Sequence, residues 1–380
     1  MRPRLLLDIS YADLASVFAL SRKINSTSEY SLSVPPSIFK SAIICLSARS
    51  AFHALLKTLS LPPAAPIIYS AITIETMVAI AQEHGLTHGL ATHFVDIDPA
   101  TMLPSAADLD ALLTKTGAKV VVIAQLFGCV SSLKAHGDVC KKHGALLVED
   151  CAQAFSGDFH VGDSAADFSL FSFGPIKRFT ALGGGIIIGK DQLVLDKIAH
   201  TIHAWPRKAD AWFLQRTLKF LALKLASTPL VYTALMRSLS ALGKDADALI
   251  GSIARGFQAG RITPQLEFQP STRQRRLLFR RLNVAKHSKS RSEAAAQILQ
   301  TVQKLIPHIA FETLGNAAHK NAYWLMPVLV TDSVTEPANI VIQLRQFGID
   351  ATQGATSMRA FGPDCPQAQR IMRQVVYLPL

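Results

Sequence analysis

Three polar residues stand where predicted strands end, which is where ligands bind in an open α/β sheet. Asp150 closes the apolar run ALLVED, and Lys177 lies in the loop GPIKR after the run ADFSLFSF, which contains Ser172. A carboxylate can keep a pyridine nitrogen protonated, and a lysine amine beside an aldehyde can bond to it and then act as a base. A serine hydroxyl can donate to a phosphate. Taken singly, these residues could equally be a helix cap, an exposed lysine and an ordinary polar residue in a strand.

A second group of residues suits a phosphate. The segment 47–50 joins the first predicted strand to its helix, and the backbone N–H groups at a helix start bind anions. Ala48 permits close approach and Arg49 could add charge, although a plain helix cap explains the segment as well. The glycines at 183–185 lack the spacing of a dinucleotide fingerprint, so we interpret them as a tight turn before a strand.

The elements that would position these residues alternate in type between about residues 40 and 200. Short apolar strands precede amphipathic helices, and Ser105 is a plausible N-cap. This alternation predicts a doubly wound α/β domain with a mostly parallel sheet. The predicted strands are 43–47, 66–71, 92–98, 119–128, 145–150, 166–173 and 183–191, and the predicted helices are 48–61, 73–85, 105–117 and 131–144.

The pattern changes in the second half of the chain. Residues 211–300 have helical patterns throughout, 321–330 predict a strand, and 338–348 predict a helix followed by a short strand, IDAT. This order is typical of a small α+β domain. We therefore predict a large domain at 1–210, a helical connection at 211–272 and a small C-terminal domain at 273–380.

The composition indicates an ordered protein and raises the question of a membrane. Hydrophobic residues make up 49% of the 380 residues and charged residues 17%, with a mean hydropathy of +0.26. The most apolar stretch, 212–242, is interrupted by Lys219, Lys224, Pro229 and Arg237, so it predicts no spanning helix. Two amphipathic helices remain, packed on the protein body or at a subunit interface, or else lying on a membrane surface. We favour the packed arrangement.

The net charge of +12 fits a nucleic-acid partner or phosphate-bearing ligands equally well. The basic cluster at 271–291 has no interleaved aromatic residues and no nucleic-acid motif, so we interpret it as a solvated helix face and expect no nucleic-acid partner. The five cysteines are odd in number and form no CxxC pair, which indicates free thiols in a reducing cytoplasm. The N-terminus has no secretory signal pattern, and we predict no metal site.

The run VEDCAQAF, followed by GDSAADFSLFSFGPIKRFTALGGGIII, resembles the core of the DegT/DnrJ/EryC1/StrS aminotransferases. These are sugar-nucleotide aminotransferases of the fold-type-I class that uses pyridoxal 5'-phosphate (PLP). The E-D-x-A-Q-A motif, the S-F-x-P-x-K motif and the spacing between them all match. The resemblance is good over 40–200 and fainter towards the C-terminus.

The resemblance implies a role for each candidate residue. Lys177 would form the Schiff base with PLP, and Asp150 would pair with the pyridine nitrogen. Gln153 would lie beside the phenolic oxygen and Ser172 would bind the phosphate. Ala48 and Arg49 occupy the positions where the family has Gly-Thr for the phosphate.

Other positions depart from the family pattern. Ile74 occupies the place of an aromatic residue over the cofactor ring, and FQPST (268–272) replaces an Asn-x-Arg-Met stretch that reaches the partner subunit's site. The chain ends at VVYLPL, where the family has a further helix.

The resemblance implies ping-pong transfer of an amino group from an amino acid, with glutamate as the expected donor, to a nucleotide-linked keto-sugar. It also implies a homodimer, and the retained Lys177 favours aminotransfer over the family's dehydratases. Two alternatives stay open: an aminotransferase with a non-nucleotide acceptor, and a catalytically silent relative with a regulatory or structural role.

Overall fold

The computed structural model describes residues 7–19, 39, 41–84, 89–157, 160–241, 260–283, 291–332, 335–354 and 357–380. Its centre is a seven-stranded sheet with the order β1–β9–β8–β7–β5–β2–β4. Only β9 runs antiparallel to its neighbours, and the other pairings are parallel. These strands are β1 (Ala42–Cys45), β2 (Pro66–Ser70), β4 (Ala91–Val95), β5 (Val120–Ala124), β7 (Leu146–Asp150), β8 (Phe168–Ser172) and β9 (Gly185–Gly189). The predicted mostly parallel sheet is confirmed.

Helices cover both faces of this sheet, as a nearly all-apolar parallel sheet requires. They are α2 (Ala48–Leu59), α3 (Glu75–Gln82), α4 (Ala106–Thr116), α5 (Lys134–His143) and α6 (Gln192–His203). Ser105 caps α4 by accepting a hydrogen bond from the Asp108 N–H, as predicted. The glycines at 183 and 184 form the predicted turn before β9.

Two predicted elements are shorter than expected because other structure interrupts them. The strand predicted over 119–128 ends at Ala124, and a turn with left-handed backbone at Phe127 (φ 58°) leads into β6 (Cys129–Val130). The helix predicted from residue 73 begins at Glu75, because β3 (Ile72–Ile74) pairs with β13 (Met358–Ala360) far along the chain.

The C-terminal part is α+β, as predicted, with corrections. Its sheet has the order β10 (Phe311–Thr313), β12 (Met326–Val330), β14 (Val375–Leu378), and β11 (Lys320–Asn321) pairs with β6. The strand predicted over 321–330 is therefore two short pieces, and IDAT contributes only a single bridge, from Thr352 to Tyr377. The helices there are α11 (Ser292–Leu305), α12 (Pro337–Gln346) and α13 (Pro366–Gln374).

The region predicted as helical throughout contains α7 (Asp210–Ala226), α8 (Pro229–Ala241), α9 (Thr263–Leu266) and α10 (Thr272–Asn283). The prediction is wrong for 267–271, which form a loop bridged to Arg207. The parts at 242–259 and 284–290 lie outside the described residues. Helix α7 packs on the body of the protein through Phe213, Thr217 and Phe220. No helix in the described ranges is long and apolar enough to cross a bilayer.

The predicted division after residue 272 stays a prediction. Leu277, Leu278 and Leu282 of α10 pack with Ile44 and Phe171 of the large sheet, together with α1 (Tyr11–Phe18). We therefore propose that the large domain includes α10.

Candidate active site

Asp150 and Lys177 meet at the carboxyl ends of two adjacent parallel strands. Asp150 is the last residue of β7, and Lys177 lies in the loop after β8. Ser172 and Lys177 face the same space, because a carbon added at Gly174 would lie 3.8 Å from Ser172 Oγ and 3.9 Å from Lys177 Cγ. The Lys177 N–H donates to the Gly174 carbonyl at 3.0 Å, which fixes this turn.

The electrostatic surroundings give Lys177 a reactive amine. Burial lowers the pKa of Lys177 to about 8; the Asp150 carboxylate opposes this shift and the Arg49 guanidinium adds to it. More of this amine than of an ordinary lysine is therefore uncharged near neutral pH, and only the uncharged amine is a nucleophile or base.

Asp150 is held in one orientation by a backbone donor. The Ala152 N–H donates to Asp150 Oδ1 at 2.9 Å. Burial raises the pKa of Asp150, and this hydrogen bond and the charges of Lys177 and Arg49 only partly offset that effect. A half-buried carboxylate with two cations nearby suits pairing with a further protonated nitrogen.

Glu149 precedes Asp150 and anchors the end of β7. Its buried carboxylate accepts hydrogen bonds from Gln125 Nε2 (3.0 Å), His160 Nε2 (2.7 Å), the Asp163 N–H (2.9 Å) and Ser169 Oγ (2.8 Å). Burial alone would raise its pKa, but these donors hold the pKa of Glu149 at about 2.

Glu149, His160 and Cys151 also lie close enough together to hold a metal ion. The Glu149 oxygens already accept hydrogen bonds from four donors, so this network explains why the three side chains lie together without a metal ion. The sequence singled out Glu149 only as a letter of the E-D-x-A-Q-A motif. All five cysteines are buried free thiols.

Gln153 connects three segments of the chain. Its Oε1 accepts a hydrogen bond from the Phe127 N–H at 2.6 Å, and its Nε2 lies 3.4 Å from Met358 Sδ. Phe127 adopts a left-handed conformation (φ 58°), which is uncommon for a residue other than glycine and is stored strain of the kind found near functional sites. The role of Gln153 beside a phenolic oxygen stays a prediction.

The first turn of α2 rests against the glycine turn. Ser47 caps α2 by accepting from the Ser50 N–H at 3.1 Å, and Ser47 is also bridged to Gly184. A side chain at Gly185 would collide with the backbone nitrogen of Ala48. The helix start that the sequence predicted as a phosphate site therefore packs closely against the backbone of the glycine turn.

Two arginines lie near this helix start, and the sequence indicated only one of them. Arg49 Nη1 donates to Thr76 Oγ1 at 3.4 Å. Burial lowers the pKa of Arg49 to about 10; the Asp150 carboxylate raises this pKa, and the Arg216 guanidinium lowers it further. Arg216 comes from α7, a segment predicted only as a connection. No motif in the sequence could have found it.

The structure places two of the positions that depart from the family pattern. Ile74 ends β3 and pairs with Met358. In the segment 268–272, Gln269 Nε2 donates to the carbonyls of His203 (3.0 Å) and Trp205 (2.8 Å). This segment packs within its own chain.

The residues fit PLP, the cofactor that the fold implies. A partly uncharged lysine and a half-buried carboxylate lie at the ends of adjacent strands, and a helix start with Arg49, close to Arg216, lies beside them. These groups correspond to the aldehyde, the ring nitrogen and the phosphate of PLP.

Comparison with known proteins agrees with this geometry. The model of the DegT/DnrJ/EryC1/StrS aminotransferase family matches residues 39–217. Residues 39–217, just under half of the chain, are thus similar to this family. The match contains β1 to β9, α2 to α6 and the start of α7, and so it includes every predicted site residue and Arg216.

Curated relatives match over the same part of the chain. A pleiotropic regulatory protein of Geobacillus stearothermophilus is 32% identical over 165 residues, 42% of each chain. A GDP-perosamine synthase of Caulobacter vibrioides is 30% identical over 155 residues, 40% of each chain. An L-glutamine:2-deoxy-scyllo-inosose aminotransferase of Streptomyces fradiae is 33% identical over 110 residues, 28% of this chain and 26% of the relative. The matched segments thus span less than half the length of these relatives.

Solved structures match over nearly the whole chain. The sugar aminotransferase CalS13 from Micromonospora echinospora superimposes with a TM-score of 0.68 at 18% identity, covering 100% of this chain and 94% of that one. The Helicobacter pylori aminotransferase PseC, involved in the biosynthesis of pseudoaminic acid, gives a TM-score of 0.66 at 18% identity, covering 99% and 93%. These matches confirm the predicted type I fold.

Proposed function

We propose that this chain is a PLP-dependent aminotransferase that moves an amino group from an amino acid, with glutamate as the expected donor, to a nucleotide-linked keto-sugar. The observation that carries the proposal is the placement of Asp150 at the end of β7 and of Lys177 in the loop after the adjacent strand β8, where burial lowers the pKa of Lys177 to about 8. The similarity of residues 39–217 to an aminotransferase family supports the reaction class. A relative named GDP-perosamine synthase supports a nucleotide-linked acceptor.

When bound, PLP supplies an aldehyde that bonds to amines and a protonated ring that stabilises negative charge at the donor's α-carbon. Lys177 Nζ would hold the aldehyde until the donor arrives. Once released, the same amine would move a proton from the donor's α-carbon, because it is both close and partly uncharged. Asp150 would keep the ring nitrogen protonated. The helix start at Ala48 and Arg49, with Ser172, would orient the phosphate.

We also propose that the protein is a homodimer and that it acts in the cytoplasm. Its pathway would be polysaccharide or antibiotic sugar biosynthesis. The family resemblance supports this part. Light scattering of the purified protein measures the oligomeric state, and a monomer would contradict it.

The first test is covalent attachment of PLP to wild type, Lys177→Ala and Lys190→Ala. Lys190 is an exposed lysine just after β9 and serves as the control. Borohydride reduction followed by peptide mass spectrometry should place the pyridoxyl group on Lys177 in wild type and in Lys190→Ala, and nowhere in Lys177→Ala. We expect glutamate to convert the bound cofactor to its amine form in wild type.

A panel of acceptors then separates the enzyme alternatives. Nucleotide-linked keto-sugars are compared with free cyclic ketones such as 2-deoxy-scyllo-inosose, and glutamine is compared with glutamate as donor. Turnover with only the free ketones would replace the nucleotide-linked acceptor by the non-nucleotide one.

The second candidate function is a regulatory protein without catalysis. It is favoured by the match to the relative named pleiotropic regulatory protein. A wild-type protein that forms no covalent bond with PLP at saturating concentration would support this candidate and rule out the aminotransferase.

A further inference from the structure

Arg216 is a cation without an anionic partner in the part of the chain that the structure describes. Its Nε donates to the Leu182 carbonyl at 2.6 Å, and its guanidinium lies 5.6 Å from the ring centre of Trp212 and 5.2 Å from that of Phe220. No carboxylate of the described residues lies within ion-pair distance of it. Burial lowers the pKa of Arg216 to about 10, yet arginine keeps its charge near neutral pH.

Such a residue is costly unless an anion offsets it. Removing an unpaired charge from water is unfavourable even after the surroundings relax. The aromatic rings and one carbonyl offset part of this cost. The nitrogens of the guanidinium beyond Nε are donors suited to a carboxylate or phosphate.

Its position indicates which anion. A carbon added at Gly183 would lie 3.8 Å from Arg216 Nε, and the next glycine, Gly184, is bridged to Ser47 at the start of α2. Arg216 also acts electrostatically on Arg49. The two guanidinium groups are therefore close enough to interact, and the glycine turn connects Arg216 to the helix start, where the backbone N–H groups favour negative charge.

We propose that Arg216 is a phosphate-binding residue of the cofactor site, which with Arg49 replaces the contacts that the family makes through Gly-Thr. This inference rests on the proposed function, because the phosphate is that of PLP. It assigns a binding role to α7, which otherwise only connects the domains. Arg216 gives the phosphate end a contact from outside the paired motifs.

The test compares PLP with pyridoxal, which lacks the phosphate, in wild type, Arg216→Gln, Arg216→Lys and Lys219→Gln. Lys219 is an exposed residue of α7, so Lys219→Gln is the control that removes an equal charge from the same helix. Hydrogen bonds to charged groups contribute about 1.5–3 kcal/mol. Arg216→Gln should therefore weaken PLP by roughly 10- to 100-fold and leave the affinity for pyridoxal unchanged. Arg216→Lys should lose less, and Lys219→Gln should match wild type.

A second readout does not need the cofactor. Inorganic phosphate should raise the thermal midpoint of the cofactor-free wild type and of Lys219→Gln, but not that of Arg216→Gln, with circular dichroism as the check of folding. Equal loss of PLP and pyridoxal binding in Arg216→Gln would make Arg216 a structural residue and overturn the inference alone. Wild-type protein that binds neither PLP nor pyridoxal would overturn the proposed function together with it.

Discussion

At the reactive end of the candidate site, Asp150, Gln153 and Lys177 are the residues that the family resemblance predicts. At the proposed phosphate end, Ala48 and Arg49 stand where the resemblance implies a Gly-Thr pair, and we propose Arg216, from a different helix, as a further contact. The reactive end needs one amine and one carboxylate at fixed positions, because covalent bonding and proton transfer depend on the atoms involved. A phosphate needs only donors and positive charge, which many side chains supply. One residue type can therefore replace another more easily at the phosphate end than at the reactive end.

The largest expected effect tests the reactive end. Asp150→Asn keeps the shape of the side chain and removes its charge, so the ring nitrogen loses the group that keeps it protonated. By analogy with lost electrostatic stabilisation in other active sites, amino transfer from glutamate to the bound cofactor should slow about 100- to 1,000-fold, while covalent attachment to Lys177 persists. Single-turnover absorbance measures this rate.

Asp138→Asn, which removes an exposed carboxylate paired with Lys134, is the matched control. A single-turnover rate for Asp150→Asn equal to that of the control would show that the reactive end does not depend on this carboxylate.

A smaller effect tests the backbone of the phosphate end. Gly185→Ala places a carbon against the Ala48 backbone nitrogen, and backbone cannot move aside as a flexible side chain can. Overpacking of this kind costs about 1–3 kcal/mol, so the thermal midpoint should fall by a few degrees, and PLP should bind more weakly because the helix start is displaced.

Gly354→Ala is the control, because its added carbon would make only an ordinary contact, 3.8 Å from Thr352 Oγ1, and lies outside the candidate site. If differential scanning calorimetry finds the same thermal midpoint for both variants, the close approach of Gly185 and α2 does not constrain the site.

The smallest effect links the two ends through the pKa of Lys177. The rate at which Lys177 reacts with pyridoxal should rise with pH around a midpoint of about 8, because only the deprotonated amine reacts. The Asp150 charge raises this pKa, so Asp150→Asn should move the midpoint down. The Arg49 charge lowers it, so Arg49→Gln should move the midpoint up. Pyridoxal is used because its binding does not involve the phosphate contacts.

Shifts of the same sign in both variants, measured by absorbance across pH 6–10, would contradict this coupling between the two ends. Lys219→Gln is the control, and its midpoint should equal that of wild type.

Much of the fold followed from local pattern. The strand ends carrying Asp150 and Ser172 were predicted within a residue, because short apolar runs between amphipathic helices are the pattern of a buried parallel sheet. The predictions failed where distant segments compete for the chain. The strand predicted to continue past Ala124 stops at a turn in which the Phe127 N–H donates a hydrogen bond to Gln153. The short strand β3 exists only because β13 pairs with it.

The sequence by itself determined the type I fold and the placement of Asp150 and Lys177 at one edge of the sheet, because parallel strands deliver their C-terminal residues to the same edge. Tertiary structure decided how the site is supported. It brought Arg216 beside the Gly183 turn, gave Glu149 its four donors and joined Gln153 to Met358. These contacts join segments with no local signal for one another, so only the packing of the whole chain could place them.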